Sequence, residues 1–394
     1  MKSICSLSNN KVNIGHVIII GSDHYNTYGI VRSLGEEGIH SDVIILGCKK
    51  KDSFVLISRY VDNGFGCSNH EDAIGILKSY QGRDNVLICC SDEAEEMILK
   101  HYDELTPCLI LPVCEDPTET SRLMDKSYNG ALAERFDIAV PKSWVVKNRR
   151  LPENVPFPCI TKPLTSQSGH KADIVVCRNL EELNSVITAE NHCADYVVQQ
   201  YIEYEKEVSI LGAVLADGSV VLSGCIDKLR TCMIGTTSFG MMVDNCLLGN
   251  IIPKLEAMMK STGYRGLFSA EFLLKDGVFY FLEVNFRNDG NTYVATASGQ
   301  NLPFLYVKSI MEDIQESEEK QSYPCYFMLE IEDFLALRRN RVPLRQWKND
   351  YKKAKACLVY NKQDINPFKK KLKTTIMSMA KRAWHKLVLR KNNA

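Results

Sequence analysis

The sequence predicts an α/β protein: a doubly wound parallel domain at the N-terminus, a strand-rich α+β region after it, and a basic helical segment at the C-terminal end. Three observations carry this. Short apolar runs alternate with helical patterns over the first hundred residues, the signature of a parallel sheet covered on both faces. Prolines at 107, 112 and 117 punctuate a change of composition, and such clusters mark crossings between units. Beyond them, Ala216-Asp217-Gly218 and Lys275-Asp276-Gly277 each sit between apolar runs, a hairpin signal.

Taken in order, His16–Ile20 is a strand closed by Gly21, and Thr27–Glu37 is a helix with Ile30, Val31 and Leu34 on one face. Gly38 follows it, where a residue in left-handed conformation commonly ends a helix. Val43–Leu46 and Asn85–Cys90 are further strands. Ser91 then opens a helix whose first turn is crowded with acids, as the helix dipole favours. A dinucleotide-binding unit would need G-x-G-x-x-G after the first strand; the turn here is GSDHYN. A helix is expected near Ser121–Phe136. Strands are expected at Cys159–Lys162, Ile174–Cys177, Tyr196–Gln200, Val208–Leu215 and Val220–Cys225.

Composition narrows the class. With 394 residues, 45% of them apolar, the chain has the make-up of an ordinary globular protein of two or three domains. The longest apolar runs, such as Val86–Cys90, are far short of the roughly 18 residues a transmembrane helix needs. The opening MKSICSLSNNKVN lacks the apolar core of a secretory signal. The 15 cysteines are scattered without any C-x-x-C, which predicts reduced, mostly buried thiols in the cytoplasm. Charge is uneven. The 48 basic and 48 acidic residues cancel overall, yet from Leu335 onward there are 18 basic residues and two acidic ones, a net +16 against −16 for the rest. That predicts a basic surface element on an acidic body.

Phe268–Arg287 carries the most chemistry. It reads as two antiparallel strands joined by Lys275-Asp276-Gly277. Glu271 stands on the first strand; Glu283, Asn285 and Arg287 stand two apart on the second. Alternate strand residues share a face, so two carboxylates and an amide oxygen converge there. Hard oxygen ligands of that kind suit Mg²⁺ bound together with substrate phosphates. Arg287 on the same face could hold a negatively charged reacting group.

These blocks, A-E-F at 270–272 and L-E-V-N-F-R at 282–287, resemble the metal-binding hairpin of the ATP-grasp superfamily. Other pieces follow in the family's order. Asp125-Lys126 resembles the first nucleotide lysine and Pro158–Pro163 the strand of the second, Lys162. Thr165–Lys171 lies where the family has a glycine-rich loop over phosphates, with one glycine here, Gly169. Val198–Glu203 resembles the hinge that reads adenine, so Gln199, Gln200 and Ile202 take that role, and Glu207 that of a ribose contact. The resemblance implies a doubly wound domain over 1–117 and an ATP-grasp domain over 118–320 with its lid at about 138–198; the charge asymmetry leaves a basic extension with an amphipathic helix over 321–394. It implies ATP and Mg²⁺ as cofactors, two ions, with Mn²⁺ as a substitute. Glu271, Glu283 and Asn285 would be the metal ligands, and Arg287 would steady an anionic intermediate. Lys228 and Arg230, two apart at the end of a strand and followed by a Gly/Thr/Ser loop, would contact the acceptor or acyl phosphate; a basic pair on a solvated edge strand is the alternative reading.

Within that superfamily the chain looks most like the group that includes D-aspartate ligase. The cues are IIIGSDHYNTYGIVRSLGEEG, the Lys228-x-Arg230 pair, and Asp364–Phe368 before a basic helix. That implies a carboxylate–amine ligase working through an acyl phosphate on an amino acid, in cell-wall or surface-polysaccharide metabolism. A bicarbonate-activating enzyme and a non-catalytic ATP-binding protein are the alternatives. In Phe368–Leu389, apolar residues recur every four positions among lysines, as in a membrane-surface helix; a helix packed on the body is the other reading. The expected partners are therefore a small carboxylate, an amine and a peripheral membrane contact through 368–389 at the inner membrane surface. A homodimer is compatible with the sequence, and no nucleic-acid-reading module is present.

Overall fold

The structure, a computed structural model, describes residues 15–82, 84–151, 153–163, 174–189, 195–233, 236–311 and 321–392. Five parallel strands open the chain: β1 Val17–Gly21, β2 Ser41–Leu46, β3 Val61–Cys67, β4 Asn85–Cys89 and β5 Leu109–Ile110, in the order β3-β2-β1-β4-β5. Strands β1, β2 and β4 are buried along their whole length. This is why they read as unbroken apolar runs instead of alternating ones. The strand order reverses between β1 and β4, and in open sheets of this kind ligands bind beyond the carboxyl ends of the strands at such a reversal. The helix Tyr25–Glu36 covers β1, and Gly38 follows it at φ 81°. Ser91 caps the helix Asp92–Lys100, its hydroxyl accepting from the Ala94 N–H at 3.2 Å.

A four-stranded antiparallel sheet follows: β6 Ser143–Val146, β7 Cys159–Pro163, β8 Val175–Cys177 and β9 Tyr196–Gln200, in the order β6-β9-β7-β8. Its small core, with Val146, Cys159, Leu183, Ile187 and Tyr196, is its own. The chain then enters a seven-stranded sheet: β10 Lys206–Val214, β11 Val220–Met233, β12 Thr236–Val243, β13 Gly266–Lys275, β14 Val278–Asn285, β15 Cys325–Met328 and β16 Ala356–Cys357. The order is β14-β13-β10-β11-β12-β15-β16.

Two features differ from the sequence reading. The stretch from Thr236, read as a Gly/Thr/Ser loop, is strand β12, because it pairs with β11 along its length and with β15 at Phe239–Met242, and its Thr, Phe and Val residues are good strand formers. The basic C-terminal segment is also more than a surface appendage. It supplies β15 and β16 to the central sheet, and Phe327, Leu329 and Leu358 join the same core as β1 and the helix Tyr25–Glu36.

The last helix runs Ile365–Asn392. Just before it, Asp364 accepts from the hydroxyls of Ser58 at 2.5 Å and Tyr28 at 3.2 Å, and from the Arg59 N–H at 3.1 Å. Positions four apart advance by about 40° more than one turn, so the every-fourth apolar row winds around this helix instead of forming a straight stripe. Among the described residues, no helix is long and apolar enough to cross a membrane. The described cysteines are free thiols, most of them buried.

Candidate active site

The β13–β14 hairpin turns at Asp276 (φ 49°) and Gly277 (φ 75°). Two consecutive positive φ values give the tight turn that suits the twist of paired strands. In that register Glu271 lies directly opposite Glu283, and Ser269 opposite Asn285. On the other flank, Glu271 pairs with Ser209 of β10, and Val208 of β10 pairs with Asp227 of β11. Lys228 thereby reaches in from the third strand. Its ammonium donates a short hydrogen bond to Glu207 and stands 3.6 Å from Glu271.

Burial works against the charge of Lys228, but Glu271 and Glu207 outweigh it and hold its pKa above the ordinary lysine value. Glu271 is pushed up by burial, with Glu283, Asp289 and Glu207 adding to the effect and Lys228 opposing it. Two carboxylates facing each other in a poorly solvated place favour a bound cation. Glu271 and Glu283 with the Asn285 amide oxygen are therefore a donor set that fits a hard divalent cation such as Mg²⁺.

The helix Lys126–Arg135 packs on this hairpin. Asn129 donates to the Val284 carbonyl at 3.0 Å and accepts from the Val284 N–H at 3.3 Å. Lys126 begins that helix, but its side chain lies outside the described residues, as does the 165–171 loop. In the smaller sheet, Lys162 on β7 donates to the Gln199 side-chain oxygen at 2.9 Å, and the Gln199 amide donates to the Ser143 hydroxyl at 2.9 Å. Gln199 is thus oriented by two partners, with its polar end beside the lysine. After β9 the chain crosses between the two sheets over 201–205, with the Tyr201 N–H on the Pro158 carbonyl. Ile202 is buried there, and Glu207 follows on β10.

Arg287 leaves β14 and meets the N-terminal domain. It donates to Asp92 through a short contact, to the Asn285 side-chain oxygen at 3.3 Å and to the Asn288 carbonyl at 3.2 Å. Burial disfavours its charge, yet Asp92, Asp289 and Glu95 raise its pKa. The Asn288 N–H reaches the Cys89 carbonyl at the end of β4, at 3.1 Å. Asn26 donates to the carbonyls of Cys90 (2.9 Å) and Asn288 (3.0 Å). The exit of the hairpin therefore sits on the carboxyl ends of the parallel sheet, where its strand order reverses. Beside it, burial, Lys371 and Arg287 bring His24 down to about 4, which leaves it neutral. Burial pushes Glu95 up to about 8 against the pull of Arg287.

Arg230 does not join Lys228. The β11–β12 register slips between Lys228 and Arg230 and again between Arg230 and Thr231, and an irregular ladder re-aims the side chains that follow it. Its guanidinium instead clasps Asp333 at 2.8 and 3.2 Å and Asp350 at 2.6 Å, and lies 4.4 Å above the Phe239 ring. Both aspartates belong to the C-terminal segment, so Arg230 is a structural clasp. Asp92, Glu95, His24, Asn26 and Asn288 are the neighbours that sequence reasoning passed over. For the first four the signals were the GSDHYN turn and the Ser-Asp-Glu helix start, neither of which was read as supplying site residues.

Residues 131–303 match the family model described as an ATP-grasp domain. Over 322 residues the chain is 24% identical to the D-aspartate ligase of Enterococcus faecium (strain Aus0004), covering 72% of this chain and 74% of that protein. It is 25% identical over 164 residues to a formate-dependent phosphoribosylglycinamide formyltransferase of Sulfurovum sp. (strain NBC37-1), covering 40% of this chain and 42% of that protein. The chain thus spans less than half of the latter's length. Among solved structures, an ADP complex of N5-carboxyaminoimidazole ribonucleotide synthetase superposes with a TM-score of 0.65 at 15% identity, covering 84% of this chain and 87% of that one. Residues 131–303 of the chain thus carry an ATP-grasp domain.

Proposed function

We propose that the protein is an ATP-dependent carboxylate–amine ligase that forms an amide through an acyl phosphate. Its substrates would be an amino acid and an amine in cell-wall or surface-polysaccharide metabolism. The observation that carries the reading is the Glu271–Glu283 pair with Asn285 and Lys228, next to the crossing between the two sheets of the ATP-grasp domain. The similarity to a D-aspartate ligase over most of the chain supports the choice of an amino acid.

In this reading Glu271, Glu283 and Asn285 hold two Mg²⁺ ions, which Mn²⁺ can replace. When bound, the ions neutralise charge on the transferring phosphoryl group. The remaining work belongs to the chain. Lys126 and Lys162 hold phosphate oxygens, and Gln199, Gln200 and Ile202 form the adenine wall. Glu207 takes the ribose and also keeps Lys228 in place. Phosphoryl transfer is catalysed mainly by positioned charge, and Lys228 offers a buried cation on that path. Arg287 stands at the domain junction, where a carboxylate substrate can take over from Asp92. We place the protein in the cytoplasm, with residues 368–389 in peripheral contact with the inner membrane surface, and count a homodimer as compatible with this arrangement.

The test is Mg²⁺-dependent phosphate release from ATP against D- and L-amino acids and small dicarboxylates, with hydroxylamine to trap an acyl phosphate. A carboxylate that triggers release and yields a hydroxamate is the expected result. Release with bicarbonate alone, or ATP binding without release under any condition, would overturn it.

A further inference from the structure

The last helix is rooted on the body, and large apolar side chains described beyond the root are exposed. Lys370 donates to the Lys51 carbonyl at 2.6 Å, and Lys371 pairs with Glu332 at 3.2 Å and lies 4.9 Å from the centre of the Phe54 ring. The Phe368 ring meets that of Tyr360 edge-on. From Leu372 on, large apolar side chains face solvent: Ile376 is 57% exposed, Met377 60%, Met379 51% and Trp384 62%. The seven residues Thr374–Ala380 carry no charge, and cations bracket them at Lys369–Lys371, Lys373, Lys381 and Arg382. No acidic residue occurs anywhere from Ile365 to the end.

From this we infer that the projecting part of the helix docks on an anionic lipid bilayer, with Leu372, Ile376 and Met379 in the interfacial layer and Lys373 and Lys381 on the headgroups. An uncharged two-turn stretch with exposed Ile376 and Met379 suits an apolar host, while long lysine stems on either side reach back to a polar plane. The charge pattern selects the host. A second helix of the same kind would bring cations against cations, whereas a uniformly negative surface meets all of them. The body, at −16 over residues 1–334, is repelled by the same surface, so the helix is the element that can make the contact. Because Lys370, Lys371 and Asp364 fix its root, it acts as a strut that sets the body beside the bilayer. The inference deepens the peripheral contact proposed above and requires no turnover. It can therefore fail while the ligase reading stands, and the reverse.

The experiment is co-sedimentation of the full chain with phosphatidylcholine vesicles, with and without phosphatidylglycerol, at low and high salt. Binding is expected only with the anionic lipid, weakening as salt rises. Ile376→Asp with Met379→Asp should abolish it, and Lys373→Glu or Lys381→Glu should each weaken it by about fivefold or more. All four positions are exposed, so thermal melting should be unchanged. Equal binding to both vesicle types, or none to either, would overturn the inference. So would a concentration-dependent dimer in sedimentation velocity that Ile376→Asp dissolves, because a second copy would then cover the face.

Discussion

Lys228 and Arg230 stand two positions apart on β11, yet they serve different parts of the molecule. Lys228 turns to Glu207 and Glu271 in the candidate site. Arg230 turns to Asp333 and Asp350 in the C-terminal segment. Regular strand geometry would put both on one face, and the irregular β11–β12 ladder separates them. One cation stands among the carboxylates of the candidate site; the other ties together two stretches of chain about a hundred residues apart. A basic pair in a sequence therefore says little about function until the register of its strand is known.

That contrast can be tested from the largest expected effect downward. Glu283→Ala removes a proposed metal ligand from the Lys228 side and should lower Mg²⁺-dependent phosphate release on the order of 10³-fold; a normal rate would mean the site lies elsewhere. Arg230→Met leaves Asp333 and Asp350 buried without their cation. Breaking a buried pair from one side costs about 3 kcal/mol or more, seen as a shift in urea denaturation, while turnover per folded molecule should stay near normal. Lys228→Met should do the opposite, with turnover falling about 10²-fold. If the two variants behaved alike, the division between them would be void.

Glu330 lies on the Arg230 side, three residues before Asp333. Burial pushes it up to about 7 from 4.5, with Glu332 adding and backbone hydrogen bonds at Tyr360 and Val359 opposing. The folded state therefore keeps this proton where the unfolded chain has released it. Stability should fall as pH rises between about 4.5 and 7, with no further change outside that window. Glu330→Gln should flatten the slope and stabilise the protein at neutral pH by about 2 kcal/mol, as read by melting across the pH range. The smallest effect is at Ser143, whose hydroxyl orients Gln199. Ser143→Ala should cost about 1 kcal/mol of that arrangement and raise the KM for ATP severalfold without changing kcat.

Much of the fold was legible because its elements are locally specified. β1, β2 and β4 announce themselves as apolar runs, and Ser91 and Gly38 mark helix ends. Asp276-Gly277 fixes a turn whose register makes Glu271 and Glu283 neighbours. β3 was not legible, since Val61–Cys67 reads VDNGFGC and owes its place to pairing with β2. β15 and β16 were hidden as well, because a strand of two to four residues leaves too short a pattern to detect.

The sequence by itself determined the hairpin, the order of the lysines and acids along the chain, and the asymmetry of charge. These depend on residue type and on spacings of a few positions, which backbone geometry converts directly into shared faces. Only the tertiary structure decided that Arg287 meets Asp92 at the strand reversal, that Arg230 leaves Lys228 for Asp333, and that the C-terminal segment enters the central sheet. Each of those depends on groups far apart in sequence being brought together by packing, and on a ladder irregularity that no local pattern encodes.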